Sequence, residues 1–181
     1  MEKGLALLII DIQVGAFPAD VPCFDAKGVV NRINTLSDKF RQARLPVIVV
    51  QHDGTLQNEF VPGTLDWELI PELLVTPDDI RVVKNAHDVF YGTDLGEILN
   101  RRGIDTLVIT GSATEFCIES SIQSALSKDY KVIVVRDGHT TLDRPPIGAA
   151  KIIEHYNEVW ANLIPTKGKV VVRRADEIEV S

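Results

Sequence analysis

Three residues of this 181-residue chain carry side chains suited to bond-breaking chemistry and stand where apolar runs end: Asp11 closes LALLIID, Lys84 closes IRVVK, and Cys117 follows TLVITG in ITGSATEFCIESS. Together they form the set a cysteine nucleophile requires. A free thiol has a pKa near ~8.5, so at neutral pH most of it is protonated, while the thiolate is the attacking form. A carboxylate accepts the proton as general base, and an ammonium offsets the charge left on sulfur. Cys117 also falls at the expected mouth of a helix, where the dipole and the free backbone N–H groups favour an anion. This placement predicts a thiol held ionised by its surroundings and reactive well below pH 8. The N–H groups of Ala113 and Cys117, in the same turn, are candidates for an oxyanion hole.

Each residue has a plainer reading: Asp11 as a turn cap, Lys84 as a solvated strand end, Cys117 as a small apolar side chain on a helix face. The chemical reading gains weight only if all three meet. In an open parallel sheet, ligands bind beyond the carboxyl ends of the strands. The elements that position the residues therefore decide the matter.

Apolar runs of strand length span 5–10, 47–50, 80–83, 106–110, 132–135 and 170–172. They lack polar alternation, as strands buried on both faces do. Helical stripes lie between them. Val29, Val30, Ile33, Leu36 and Phe40 share one face of a segment over 24–43, stopped by Leu45 and Pro46; Leu95, Ile98 and Leu99 mark a helix over 94–102 that ends at Gly103. Ile118, Ile122, Ala125 and Leu126 mark one over 114–128, and a last one is expected over 146–161, with Pro145 and Pro146 at its first turn and Ile147, Ala150, Ile153 and Val159 inward. Strands alternating with helices predict an α/β sandwich with right-handed crossovers. With 45% apolar residues, 181 residues suffice for one core, so residues 1–181 are expected to form a single domain. The stretch 51–79 is irregular, and a loop of that length is expected to cross one rim of the sheet.

Composition excludes several classes. A net charge of −7 and a pI near 5.1 argue against nucleic acid as a partner. The N-terminal apolar run is cut by Asp11, too early for a signal core or a membrane span, so a cytoplasmic protein without membrane contact is expected. Cys23 and Cys117 lie far apart without CxxC spacing, which suggests neither a disulfide framework nor a structural zinc. A Rossmann-like binding module would carry a glycine-rich turn after the first strand, where Asp11-Ile12-Gln13-Val14-Gly15 has one glycine and a carboxylate.

The motif GSATEFCIESSIQSA resembles the G-x-x-T-x-x-C-V-x-x-T-x-x-x-A signature of the isochorismatase-like cysteine hydrolases, with Gly111, Thr114, Cys117 and Ala125 matching and Ile118 and Ser121 as conservative replacements. Asp11 in LLIIDIQ and Lys84 in VVKNAHDVFYGTDL are similar to the other two motifs of that superfamily, which includes nicotinamidases and N-carbamoylsarcosine amidases. The resemblance covers most of the chain. It implies a three-layer α/β/α sandwich with a six-stranded parallel sheet, a triad of Asp11 as base, Lys84 as electrostatic partner and Cys117 as nucleophile, and a cis Ser112–Ala113 peptide bond. It also implies assembly as a homo-oligomer, a dimer or larger, for which the apolar rim over 65–75 is the candidate contact. Three departures bear on the site. His52 and Asp53 are followed by no further histidine until His87, so no metal is expected, since a metal site needs at least three convergent ligands. The aromatic that family members carry five residues after the aspartate is displaced: Ala16 holds that place and Phe17 follows. Ser112 stands where a branched apolar residue is usual.

The resulting expectation is a hydrolase that cleaves the C–N bond of a small-molecule amide through a thioester, without a cofactor. Substrate-wall candidates are Phe17, Trp67, Tyr91 and Phe116. His52, at a strand end, reads as a capped loop histidine, with hydrogen bonding to substrate as its alternative, and His87, His139 and His155 read as structural or solvated. The alternatives are a vinyl-ether hydrolase of the isochorismatase type, which needs the aspartate alone, and a binding module or silent scaffold in which Cys117 is incidental.

Overall fold

A computed structural model describes residues 4–180. Six strands form one all-parallel sheet: β1 (Gly4–Ile10), β2 (Val47–His52), β3 (Ile80–Lys84), β4 (Ile104–Ser112), β5 (Lys131–Thr140) and β6 (Val170–Arg173), in the order β3-β2-β1-β4-β5-β6. Helices cover both faces, which gives the expected three-layer α/β/α sandwich. The two-sided burial follows from the apolar runs. In β1, Leu7 and Ile9 pack with Val29, Val30, Ile33, Leu36 and Phe40 of α1 (Ala26–Gln42). Ala6, Leu8 and Ile10 point the other way, toward Leu95 and Leu99 of α2 (Leu95–Arg101), Ile122 and Ala125 of α3 (Glu119–Ser127) and Trp160 of α4 (Ala149–Ala161).

The sheet order reverses between β1 and β4, the place where an open parallel sheet forms a crevice. Ile10 pairs with Gly111 there. Gly111 has φ 130°, and a Cβ on it would sit 2.1 Å from the Ile10 carbonyl oxygen. Only glycine lets the ends of β1 and β4 approach this closely. Asp11 and Ser112 leave the two strands side by side.

Two expectations change. The helix over 146–161 begins at Ala149 instead, because Pro145 and Pro146 sit in a turn closed by mutual backbone hydrogen bonds between Arg144 and Ile147. Its inward face is Ala149, Ile152, Asn157 and Trp160, while Ile147 is half exposed and Ala150 lies outside. Trp160 and Asn157 set the phase by reaching under the sheet to His139, and the aliphatic residues follow. The loop over 53–79 turns Leu69, Ile70, Leu73 and Val75 onto the α1 layer and leaves Leu65 and Leu74 exposed. Much of the apolar rim over 65–75 is thus spent within the chain. No helix among the described residues is long and apolar enough to cross a membrane.

Candidate active site

Asp11, the first residue after β1, has φ 53°, a left-handed conformation that aspartate tolerates better than most side chains. The turn holds its carboxylate at the crevice, 5% exposed. Gln13, two residues on, clamps that turn: its amide donates to the carbonyls of His52 at 3.1 Å and Trp67 at 2.9 Å, and its oxygen accepts the His52 N–H at 2.8 Å. Lys84 ends β3, in register with His52 of β2. Its four-carbon stem crosses the end of β2, and Nζ reaches Asp11 Oδ2 at 2.7 Å.

The segment that carries Cys117 starts differently from the expected α-helix. Residues Thr114–Ile118 form a wider π-type turn in which the Phe116 and Ile118 N–H groups both donate to the Ala113 carbonyl, and α3 begins only at Glu119. The Ser112–Ala113 peptide bond before it is cis. The turn is held from behind by a buried chain. Thr114 Oγ1 hydrogen-bonds His139 Nδ1 at 2.8 Å, His139 Nε2 bonds Asn157 Oδ1 at 3.2 Å, and Asn157 donates to the Arg136 carbonyl at 3.1 Å. Complete burial lowers the His139 pKa to about 4, so the ring is a neutral support near pH 7.

Cys117 Sγ meets three polar neighbours. Lys84 Nζ donates to it at 3.4 Å, His87 Nδ1 lies at 3.3 Å, and the Asp11 carboxylate acts on it electrostatically. Lys84 Nζ also donates to the Ala86 carbonyl at 3.0 Å. Asp11 Oδ1 is buried and has no hydrogen-bond partner among the described residues.

The charge state of the thiol differs from the expected one. Burial first, and the Asp11 carboxylate second, push its pKa well above the ordinary value, and the Lys84 ammonium offsets only part of this. Burial presses on Lys84 as well, but Asp11 and the sulfur outweigh it and keep the ammonium charged. One cation can balance one anion here: beside the Asp11 carboxylate, a second negative charge on the buried sulfur would be uncompensated. These surroundings favour the protonated thiol over the thiolate.

Above the sulfur opens a cavity of about 270 Å³. It is lined by Asp11, Ala113 and Cys117 at the floor and by His52, Phe60, His87, Phe116 and Arg144 among its walls. Phe116 is the sequence candidate that lines it. Phe17 does not: in the 3₁₀ turn Val14–Ala16, successive residues rotate by about 120°, so Ala16 faces the cavity and Phe17 packs with the α1 layer. Trp67 contributes its carbonyl, which accepts from Gln13 and from Gln51 at 3.0 Å, and does not line the cavity. Tyr91 stands outside it, 66% exposed. Phe60 supplies the aromatic wall instead and meets His52 edge-on at 5.8 Å. His52 is a wall residue rather than a mere loop cap; burial, then Lys84, lower its pKa. Asp53 turns away to bind the Thr55 N–H at 3.0 Å. Among the described residues no three His, Cys, Asp or Glu side chains cluster as metal ligands would.

Sequence reasoning missed His87 and Phe60. Both sit on irregular loops, where no periodicity states which way a side chain points. The only available signal was that His87 follows Lys84 by three residues.

The chain matches the Isochorismatase domain family over residues 5–166. The uncharacterized isochorismatase family protein YecD of Escherichia coli O157:H7 is 31% identical over 170 residues, 87% of this chain and 86% of that protein. Streptothricin hydrolase of Streptomyces noursei is 30% identical over 140 residues, which is 77% of this chain and 51% of that protein. Among solved structures, N-carbamoylsarcosine amidase from Thermoplasma acidophilum is similar with a TM-score of 0.78 at 25% identity, over 98% of this chain and 99% of that one. This chain belongs to the isochorismatase family of hydrolases.

Proposed function

We propose that this member of the isochorismatase family cleaves the C–N bond of a small amide through a thioester on Cys117, with residues 1–181 acting as one hydrolase domain. The observation that carries the reading is the sulfur's position at the cavity floor, 3.4 Å from a Lys84 ammonium that is itself paired to Asp11 at 2.7 Å. As Sγ attacks the carbonyl carbon, its proton passes to Asp11, so negative charge moves from carboxylate to sulfur and on to the carbonyl oxygen without its total changing. Lys84 stabilises each stage. The N–H groups of Ala113 and Cys117, two residues that line the same cavity, would receive the oxyanion. Collapse breaks the C–N bond, the leaving nitrogen takes the proton from Asp11, and water then releases the acid.

The likeness to an amidase over nearly the whole chain supports amide chemistry. The cavity size supports a small substrate. Mass spectrometry of the protein quenched during turnover of a panel of small amides and ureides tests the reading: an acyl increment on the Cys117 peptide is expected. Amide turnover that survives Cys117→Ala would overturn it. Hydrolysis of a vinyl ether with no dependence on Cys117 would favour the isochorismatase-type alternative.

A further inference from the structure

Resting on that thioester reading, we infer that His87 is the base that draws the hydrolytic water onto the acyl group, so that the two halves of the reaction use different proton acceptors. Asp11 serves the first half but is poorly placed for the second. It is 5% exposed, with Oδ2 held by Lys84, and sits at the cavity floor, where an acyl group on Sγ would screen it from solvent. His87 lies on the exposed wall of the same cavity with Nδ1 3.3 Å from Sγ. An acyl carbon bonded to Sγ on the cavity side stands next to this nitrogen, and water arriving from solvent meets the imidazole.

The ring is held in place. It stacks on Phe116 with centroids 5.4 Å apart and planes 23° apart. The following residue, Asp88, accepts from Ser124 Oγ of α3 and from the Phe90 N–H, both at 2.8 Å, and Lys84 Nζ grips the preceding Ala86 carbonyl. Among the described residues no other imidazole is in hydrogen-bond contact with the sulfur.

In the step, a water O–H proton passes to Nδ1 while its oxygen bonds to the thioester carbon. The tetrahedral species collapses, the C–S bond breaks with its electron pair on sulfur, and the imidazolium returns the proton to Sγ. The products are the acid and the starting thiol, and water is the only co-reactant.

p-Nitrophenyl acetate isolates this half, because nitrophenolate departs without acid assistance. The full chain is compared with His87→Phe, which keeps a ring on Phe116, and with His87→Asn. Both variants are expected to retain a burst of one nitrophenolate per Cys117, to accumulate the acetyl adduct, and to turn over about 10²-fold or more slowly, the range for a lost general base. Hydroxylamine, which attacks a thioester without a base, is expected to restore their turnover. Steady-state rates of both variants within about threefold of the unaltered protein, well short of a general-base effect, would overturn the assignment, as would loss of the burst itself. An adduct whose decay ignores His87 sinks the assignment alone. Absence of any Cys117 adduct in the unaltered protein sinks the thioester reading with it.

Discussion

Strand β3 has a buried ion pair at each end, and the two pairs are built for opposite purposes. Before its first residue, Asp79 meets Arg41 of α1 through two bonds, Nε to Oδ1 at 3.0 Å and a terminal nitrogen to Oδ2 at 2.7 Å, and the Thr76 N–H adds a third at 2.8 Å. Both carboxylate oxygens are used, and Arg41 gives two further donors to Asp38 and the Leu74 carbonyl. At the other end, Lys84 and Asp11 are more deeply buried as a pair, yet one carboxylate oxygen has no partner among the described residues and the Cys117 thiol lies alongside. A saturated pair locks α1 and the long loop to the sheet edge. An unsaturated one keeps a proton site open, at a desolvation cost that hydrogen bonding does not offset.

The sharpest way to break this contrast is to remove the open site. Asp11→Asn keeps the shape and removes the proposed proton acceptor, and is expected to lower turnover about 10³-fold, within the range for a general base, with some loss of stability because Lys84 is left buried without its counter-ion; Cys117→Ala is expected to abolish turnover with the melting transition retained. Asp11→Asn with normal activity would erase the distinction between the pairs. Next is Lys84→Met, expected to reduce turnover about 10²-fold as charge stabilisation is lost and to destabilise the fold by stranding Asp11. Adding Asp11→Asn to Lys84→Met should then recover stability in urea titrations, since a buried pair exchanged whole is often neutral.

At the saturated end the readouts invert. Asp79→Asn is expected to cost about 2–3 kcal/mol in urea unfolding, below the range for a wholly buried pair because Arg41 remains 20% exposed, and to leave kcat unchanged in conditions where the variant is folded. The pairs also separate on a pH axis. Burial opposes the charge on Asp79, but Arg41 and Thr76 outweigh it and hold its pKa below the ordinary value. The stability it contributes is present above about pH 4 and lost as pH falls through the lowered pKa; in acid melts the Asp79→Asn variant should lack that loss.

For Cys117 the sign reverses. Its folded pKa is raised, so stability is whole below about pH 8.5, the free-thiol value, and declines as pH rises above it. Cys117→Ala should flatten part of that alkaline limb, with Cys23, raised to about 11 chiefly by burial, accounting for the remainder. Iodoacetamide should label Cys117 slowly at pH 8. Rapid labelling there would restore the thiolate expected from the sequence and remove the need for Asp11 as base.

The residues that converge on the sulfur divide by how they were legible. Asp11 and Lys84 each close an apolar strand, and strand ends on one side of a parallel sheet must share a rim, so their meeting was readable from order and pattern. Cys117 was readable in position but its charge was not. The dipole and the ammonium at the helix mouth favour the thiolate, but burial and the neighbouring carboxylate, both products of packing, outweigh them. Phe17 and the phase of α4 went astray for a related reason: one residue of offset in a tight turn or helix rotates a side chain to another layer, and the offset is set by partners such as His139 that lie far off in the chain.

By itself, then, the sequence determined the alternation of strands and helices, the crevice side of the sheet and which carboxylate, ammonium and thiol meet there, because these depend on local periodicity and on the order of elements. Only the tertiary structure decided that the thiol rests protonated, that Phe60 replaces the expected aromatics and that His87 reaches the sulfur. Those outcomes depend on dielectric surroundings and on loop conformations created by contacts between distant residues, for which no local pattern in the chain stands as a signal.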